Sequence, residues 1–452
     1  MREVAEILKV RNGPGQPAVA RGGTAGLAGG AAFAALLIGV LATAGPVFDT
    51  QAAETESEPL ELGFLAFGDS GLHDDYVERG APITSREELI ERYRRAWLKD
   101  HRDPAEFTPP PSHYLNDRVG FTLTSGAIPA ANAMKRHCLA APCEFALMLG
   151  DNIYPDGAAG DDSDERRFAA MLTEPFGALG AGNPDYRIYA ALGNHDWHTS
   201  RAGAMAQVKY LESNPPFYMN GNIYRVKPPS GKGQVELFVI DTMVLLAGQT
   251  VARAALNPDG SEAQSGRVER RPSWSKPSTE MEKYMIQWLE RQLEDSDARW
   301  KFVVGHHPIW SGGGFKFEQA RVLRRLLLPA LCRYADAYFA GHDHTLELHE
   351  DSCESGPGPE SASPLPLVVS GAASAQRGVH SKFIAHQSAK YPASHTLFSR
   401  GMVWGFAYVR LKGDSATVDL FSTPNSGSGE PQREFRYTFA RRSGALRPRG
   451  AP

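Results

Sequence analysis

Cysteine is scarce in this 452-residue chain: there are four, and no two stand in a Cys-x-x-Cys spacing. Four are too few for a disulfide scaffold, and the missing spacing removes a thiolate zinc ribbon. Excess charge of one sign is missing too. With 48 Lys+Arg against 52 Asp+Glu the net charge is −4, so no overall field favours nucleic acid as a stable partner. Charged residues make up 22% and hydrophobic ones 42%, which excludes a wholly disordered chain. Gly (45) and Pro (32) run high and predict many turns and long connections. The length fits about three domains, or one large α/β domain with insertions.

The N-terminus differs from the rest. Arg2, Lys9, Arg11 and Arg21 precede a stretch from Thr24 to Phe48 without a charged residue. Its apolar centre, Ala31 to Ala44, matches the roughly 7–15 residues of a signal-peptide core better than the roughly 20 of a membrane span. Ala42-Thr43-Ala44 offers a small-residue cleavage site, and no twin-arginine pair is present. We read residues 1–57 as a signal peptide or a retained signal-anchor plus polar linker, with 24–48 as the membrane-anchoring segment in the second case. Both readings put the remaining chain outside the cytoplasm, periplasmic or extracellular. In that oxidising setting Cys138 with Cys143 and Cys332 with Cys353 are the preferred pairs out of three connectivities.

From residue 58 to about 440 the pattern alternates strand and helix, which argues for an α/β architecture. Residues 60–67, 144–149, 187–192, 300–304 and 335–340 read as buried strands, and 223–226 with 235–240 as a strand pair. Strands at 365–369, 406–411 and 416–421 complete a further sheet. Helices are expected at 127–139, 164–179, 279–293 and 317–334. In the third of these, Met281, Tyr284, Met285, Trp288, Leu289 and Leu293 form one apolar face. Residues 73–118 read as an insertion carrying one helix behind the Ser85-Arg-Glu-Glu88 capping signature. Residues 252–276 read as a second, loop-like insertion and 441–452 as a disordered tail.

The functional signal is a recurrence. Five strands end in Gly followed at once by Asp, Asn or His: Gly68-Asp69, Gly150-Asp151, Gly193-Asn194, Gly305-His306 and Gly341-His342. One such pair is an ordinary turn. Five together differ, because ligands in open α/β sheets gather beyond the carboxyl ends of the strands. These turns bring Asp69, Asp151, Tyr154, Asn194, His306, His342 and His344 to one rim. His342 and His344, two apart, project to the same side of an extended segment. Carboxylate, amide, imidazole and phenolate donors without thiolate suit iron, zinc or manganese. Seven donors exceed one tetrahedral ion and match two ions sharing a carboxylate, a centre suited to hydrolysing phosphate esters.

The ordered series Gly-Asp-Ser-Gly, Gly-Asp-Asn-Ile-Tyr, Gly-Asn-His-Asp, Val-Val-Gly-His-His and Ala-Gly-His-Asp-His resembles the calcineurin-like metallophosphoesterases, from about residue 60 to 425. Tyr154 makes it similar to the purple (tartrate-resistant-type) acid phosphatase branch. The resemblance implies a four-layer α/β/β/α sandwich of two mixed sheets flanked by helices. It implies Fe(III) held by Asp69, Asp151, Tyr154 and His344. A second, divalent ion (Fe, Zn or Mn) would be held by Asp151, Asn194, His306 and His342, with Asp151 bridging. His195 matches the histidine that contacts the phosphate or protonates the leaving group, with Asp196 orienting it. His307 is the third catalytic candidate, facing the substrate or filling the turn before Pro308. Relatives often carry a further histidine several residues after Gly-His-x-Pro; here Ser311-Gly-Gly-Gly-Phe315 leads to Lys316 instead. Lys316 reads as a solvated lysine, with phosphate contact the alternative.

The favoured reading is an exported dimetal phosphomonoesterase acting on a small phosphate ester through a metal-activated water attacking phosphorus in line. A phosphodiesterase or pyrophosphatase on the same core, and a non-catalytic extracellular binding module, are the alternatives.

Overall fold

A computed structural model describes residues 60–76, 83, 85–112, 124–353, 363–424 and 429–442. The leader 1–57, with its export and anchoring readings, and residues 443–452 lie outside the described residues.

Sixteen strands are present among the described residues. The first sheet contains β1 (Glu61–Phe67), β2 (Phe145–Met148), β3 (Ile188–Ala190) and β4 (Phe217–Tyr218). The second takes up β5 (Tyr224–Val226) and β6 (Val235–Val239), and β7 (Ala255–Leu256) pairs only with β8 (Glu262–Ala263). The second sheet continues with β9 (Trp300–Val304), β10 (Ala337–Ala340), β11 (Leu346–Asp351), β12 (Leu365–Ser370) and β13 (Ser394–Arg400). Finally β14 (Gly405–Lys412), β15 (Ser415–Ser422) and β16 (Gln432–Ala440) return to the first. The orders are β16-β15-β14-β1-β2-β3-β4 and β13-β11-β12-β10-β9-β6-β5.

Both sheets are mixed. β1, β2, β3 and β4 run parallel, while β14 meets β1 antiparallel, pairing Leu65 with Tyr408. In the other sheet β6, β9, β10 and β12 run parallel, β5 and β11 run antiparallel to them, and β13 pairs antiparallel with β11. Parallel strands buried on both faces need mostly apolar side chains on both, which is why β2 and β10 are continuous apolar runs and β6 and β9 carry one charged residue each, Glu236 and Lys301. The sheets face each other through aromatic contacts: Phe64 of β1 packs 5.7 Å from Phe302 of β9 and 5.9 Å from Phe339 of β10. Helices such as Ala127–Ala140 and Phe317–Tyr334 add their buried faces to this core. The result is the expected α/β arrangement of two mixed sheets with flanking helices.

Several expectations change. The apolar helix near 280–295 is two pieces, Glu280–Lys283 and Met285–Asp295, broken at Tyr284. Its buried face is Met285, Trp288, Leu289 and Leu293, while Met281 and Tyr284 are exposed, because the break rotates the first turn away from the core. The first piece opens on a full capping box between Thr279 and Glu282. The helix near 164–179 is divided by a wide turn at Ala169–Thr173. Arg442, read as part of a tail, is instead buried, and its guanidinium donates to the carbonyls of Ala335 and Ser363. Both preferred disulfides form, Cys138–Cys143 and Cys332–Cys353. Among the described residues no helix is long and apolar enough to cross a membrane.

Candidate metal centre

The donors are carried by turns that only particular residues can make. Asp69, Asp151 and His342 each follow a glycine at a strand end and each adopt left-handed backbone, with φ of 53°, 53° and 68°. Such conformations cost non-glycine residues about 1 kcal/mol or more and persist where surrounding structure over-determines them. Here the tightness is visible at Gly193, where a Cβ would come 2.2 Å from Asp151 Oδ1. His342 and His344 therefore reach the rim through a left-handed turn, not through extended alternation, and they serve different donor sets.

Each carboxylate uses one oxygen to fix its turn and leaves the other free. Asp69 Oδ2 accepts the His342 backbone N–H at 2.6 Å, and Asp151 Oδ1 accepts that of His195 at 2.8 Å. The free oxygens converge. Tyr154 Oη lies 3.2 Å from Asp69 Oδ1, 3.0 Å from Asp151 Oδ2 and 3.3 Å from His344 Nε2. His344 Nε2 is in turn 3.3 Å from Asp69 Oδ1. A phenol supplies one hydrogen, so it cannot satisfy this many acceptors. Neighbouring donors on an octahedral ion with bonds of about 2.1 Å stand about 3 Å apart, which is the spacing found.

The second set is built around His306. Its Nε2 lies 3.3 Å from Asp151 Oδ2, 3.3 Å from Asn194 Oδ1 and 3.1 Å from His342 Nδ1. Asp151 Oδ2 thus belongs to both sets. Asp69, Asp151 and His306 offer ligand atoms within 4.8 Å of one another. All seven sequence-predicted donors are brought together.

Tautomers follow from hydrogen bonds. His306 Nδ1 donates to the Leu149 carbonyl at 2.8 Å, leaving Nε2 with its lone pair toward the centre. His342 is set by two residues absent from the sequence reading. Gln319 Nε2 donates to the Glu269 carboxylate at 2.8 and 3.0 Å, which turns Gln319 Oε1 toward His342 Nε2 at 3.1 Å. His342 Nε2 therefore carries the hydrogen and Nδ1 faces the centre. Glu269 belongs to the segment read as an insertion, so that loop supports a ligand. A polar residue on the buried side of the Phe317–Tyr334 helix is the only sequence trace of Gln319.

The charge state suits a cation. Burial alone would raise the Asp151 carboxyl, but His306 and His195 outweigh it and hold Asp151 well below the usual range. Burial lowers His306, yet Asp151 against it brings the ring up to about 9. Burial, then Asp151 and Asp69, push the Tyr154 phenol well up. Burial keeps His342 well below its ordinary value and neutral.

The three catalytic candidates separate. His195 is at the mouth, with Nδ1 donating to the Pro155 carbonyl at 2.5 Å and Nε2 4.0 Å from Asp151 Oδ2. Asp196 does not orient it. Its buried carboxylate accepts the N–H groups of Gly193, Asn152 and Ile153 at 2.7, 3.0 and 3.0 Å, fastening two ligand turns together. His307 is not substrate-facing either. It is 1% exposed, its ring packs 4.3 Å from that of His342, and its Nδ1 meets Thr242 Oγ1 at 2.8 Å. Thr242 already accepts the N–H groups of His306 and His307, so its hydroxyl donates to His307 Nδ1. Thr242 follows Asp241 at the end of β6, a sixth strand end that lacks the glycine marking the others.

Comparison with known proteins agrees with this geometry. A family model described as calcineurin-like phosphoesterase matches residues 101–346. Purple acid phosphatase 17 of Arabidopsis thaliana is 28% identical over 239 residues, covering 51% of this chain and 59% of that protein. Purple acid phosphatase 7 of the same plant is 27% identical over 209 residues, covering 45% and 55%. The chain thus spans between half and three-fifths of these relatives. Among solved structures, GAP50, described as the anchor in the inner membrane complex of Plasmodium, superposes with a TM-score of 0.50 at 17% identity, covering 84% of this chain and 89% of that one. The purple acid phosphatase PPD1 of yellow lupin gives 0.47 at 13% identity, covering 84% and 54%. At such identities the likeness is one of fold. Asp69 precedes the matched span, so its membership of the centre rests on distance alone.

Proposed function

The chain belongs to the calcineurin-like phosphoesterase family, and on that footing we propose that it is a dimetal hydrolase of phosphate monoesters of the purple acid phosphatase type. The observation that carries the reading is Asp151 Oδ2, which faces Tyr154 Oη at 3.0 Å and His306 Nε2 at 3.3 Å, so one oxygen serves both donor sets. Asp69, Asp151, Tyr154 and His344 would hold Fe(III). Asp151, Asn194, His306 and His342 would hold a divalent Fe, Zn or Mn ion. Such a pair supplies Lewis acidity, lowering the pKa of water and neutralising charge on a phosphoryl group. His195 does the proton work: with Nδ1–H held by the Pro155 carbonyl, its imidazolium form would hydrogen-bond the phosphate through Nε2–H and give that proton to the departing alkoxide, ending as the neutral Nδ1–H ring. The two disulfides support an oxidising compartment, in keeping with export.

The Plasmodium neighbour is described as an anchor, and that is the ground for the non-catalytic alternative. Against it stands the complete set of converging donors. A substrate panel of phosphate mono-, di- and pyrophosphate esters tests the reading, with monoesters expected to be hydrolysed fastest. A metal-loaded protein that cleaves none of them contradicts it. The iron assignment predicts a visible charge-transfer band lost in Tyr154→Phe, and a colourless iron-loaded protein contradicts that assignment alone.

A further inference from the structure

A cavity of about 440 Å³ opens beside His344, lined among others by Tyr93, Trp97, Phe315, Lys316 and Arg377. Its volume is that of a small-ligand site. His344 is the donor that connects it to the metal centre. One wall is the loop after β12, whose Arg377 N–H donates to the His344 carbonyl at 2.9 Å. The facing wall is the insertion helix Arg86–Lys99, pressed so closely on that loop that a Cβ at Gly378 would meet Trp97 at 2.1 Å. Buried Arg102 ties the walls together, donating to the Gly378 carbonyl at 2.5 Å and lying 5.0 Å from the Phe315 ring.

The lining is cationic beyond what a lone phosphoryl group requires. Three cations, Arg102, Lys316 and Arg377, face one carboxylate, Asp100, among the described lining residues. Arg102 is committed to backbone carbonyls. Arg377 is one-third exposed and among the described residues pairs with Asp343 at 3.3 Å. The Lys316 ammonium makes no hydrogen bond or close ion pair among the described residues; burial acts most strongly against its charge, Glu269 favours it and Arg377 opposes it. It is not the solvated lysine that the sequence suggested. Past Lys316 a second cavity is lined by Arg253, Arg267 and Arg270 and by the carboxylates of Glu269 and Glu318. An anionic group entering the cavity beside His344 therefore meets three cations against one carboxylate in its lining.

Resting on the phosphomonoesterase reading, we infer that the cavity beside His344 is a leaving-group subsite for a second phosphate. The favoured substrates are then phosphate esters whose alcohol bears a further phosphate group, bound there by Lys316 and Arg377. Tyr93, Trp97 and Phe315 supply the apolar surface for the carbon skeleton between the two phosphates.

The test compares glucose 1,6-bisphosphate with glucose 6-phosphate on the metal-loaded enzyme. The bisphosphate is expected to have a kcat/KM higher by about tenfold, the scale of one charge-assisted hydrogen bond, expressed mainly in KM and shrinking as salt is raised. In Lys316→Met the ratio between the two substrates falls toward unity, and Lys316→Arg restores part of it. Equal kcat/KM for the pair, or a ratio unmoved by Lys316→Met, overturns the subsite while leaving the phosphatase reading intact. If the metal-loaded enzyme hydrolyses neither ester, the phosphatase reading itself falls. The subsite is then judged by calorimetric binding of the same two compounds, and equal affinity overturns it.

Discussion

Gln319 bears no charge, yet it decides which nitrogen of His342 faces the metal centre, because Glu269 fixes the orientation of its amide. Gln319→Leu removes that acceptor and should weaken metal affinity about 10–100-fold, read by competition with a chelator. Affinity equal to the parent's would remove Gln319 from the support of the centre. His195→Ala should act differently. Turnover falls about 10²–10⁴-fold with metal content preserved, and an unchanged rate would show that the ring transfers no proton. The seven donors were legible in the sequence because each lies one to four residues beyond a glycine at the end of an apolar run. Gln319, Thr242 and Arg377 were not, since nothing local marks a helix or loop residue whose partner is distant in the chain. The roles given to Asp196 and His307 were misread for a related reason. Adjacency to a ligand in sequence does not reveal whether a side chain faces the mouth or braces the turn from behind.

At the scale of elements, the long buried parallel strands were readable almost to the residue, because burial on both faces leaves mostly apolar runs. β11 was hidden by its polar letters. Inside the sheet Glu347 and His349 pair at 2.6 Å and are fully buried, so a central strand carries a sequence that reads as surface. β13 and β16 are edge strands with half-exposed polar faces and gave no apolar signal. The disulfides act between elements. Cys332–Cys353 spans 21 residues from the Phe317–Tyr334 helix to the segment after β11, whereas Cys138–Cys143 spans five. Loop-closure entropy predicts that replacing the first pair by serine costs about 3 kcal/mol and the second about 2 kcal/mol. Denaturant midpoints in which the short loop mattered more would refute that ordering.

The whole molecule closes on buried carboxyl groups away from the metal centre. Asp336 accepts the backbone N–H groups of Lys301 and Arg442, joining the start of β9 to the end of the described chain. Burial pushes its carboxyl up to about 6 against those two bonds. A carboxyl raised in the fold binds its proton more tightly folded than unfolded. Its contribution to stability is therefore complete below the unfolded value near 4 and is lost as pH rises through about 6. Between pH 7 and pH 5 it should add about 1 kcal/mol. Asp336→Asn should lack that gain in denaturant unfolding at the two pH values, and an identical pH response would refute the assignment. Both segments read as insertions reach the centre or the cavity beside it. Glu269 supports a ligand, and Trp97 walls the cavity beside His344. The proposed function depends on two cations meeting at one carboxylate oxygen. Metal analysis of the purified parent and of Asp151→Ala tests this most directly. Two ions per chain in the parent and loss of both in the variant is the predicted result, and two tightly held ions in Asp151→Ala would contradict it.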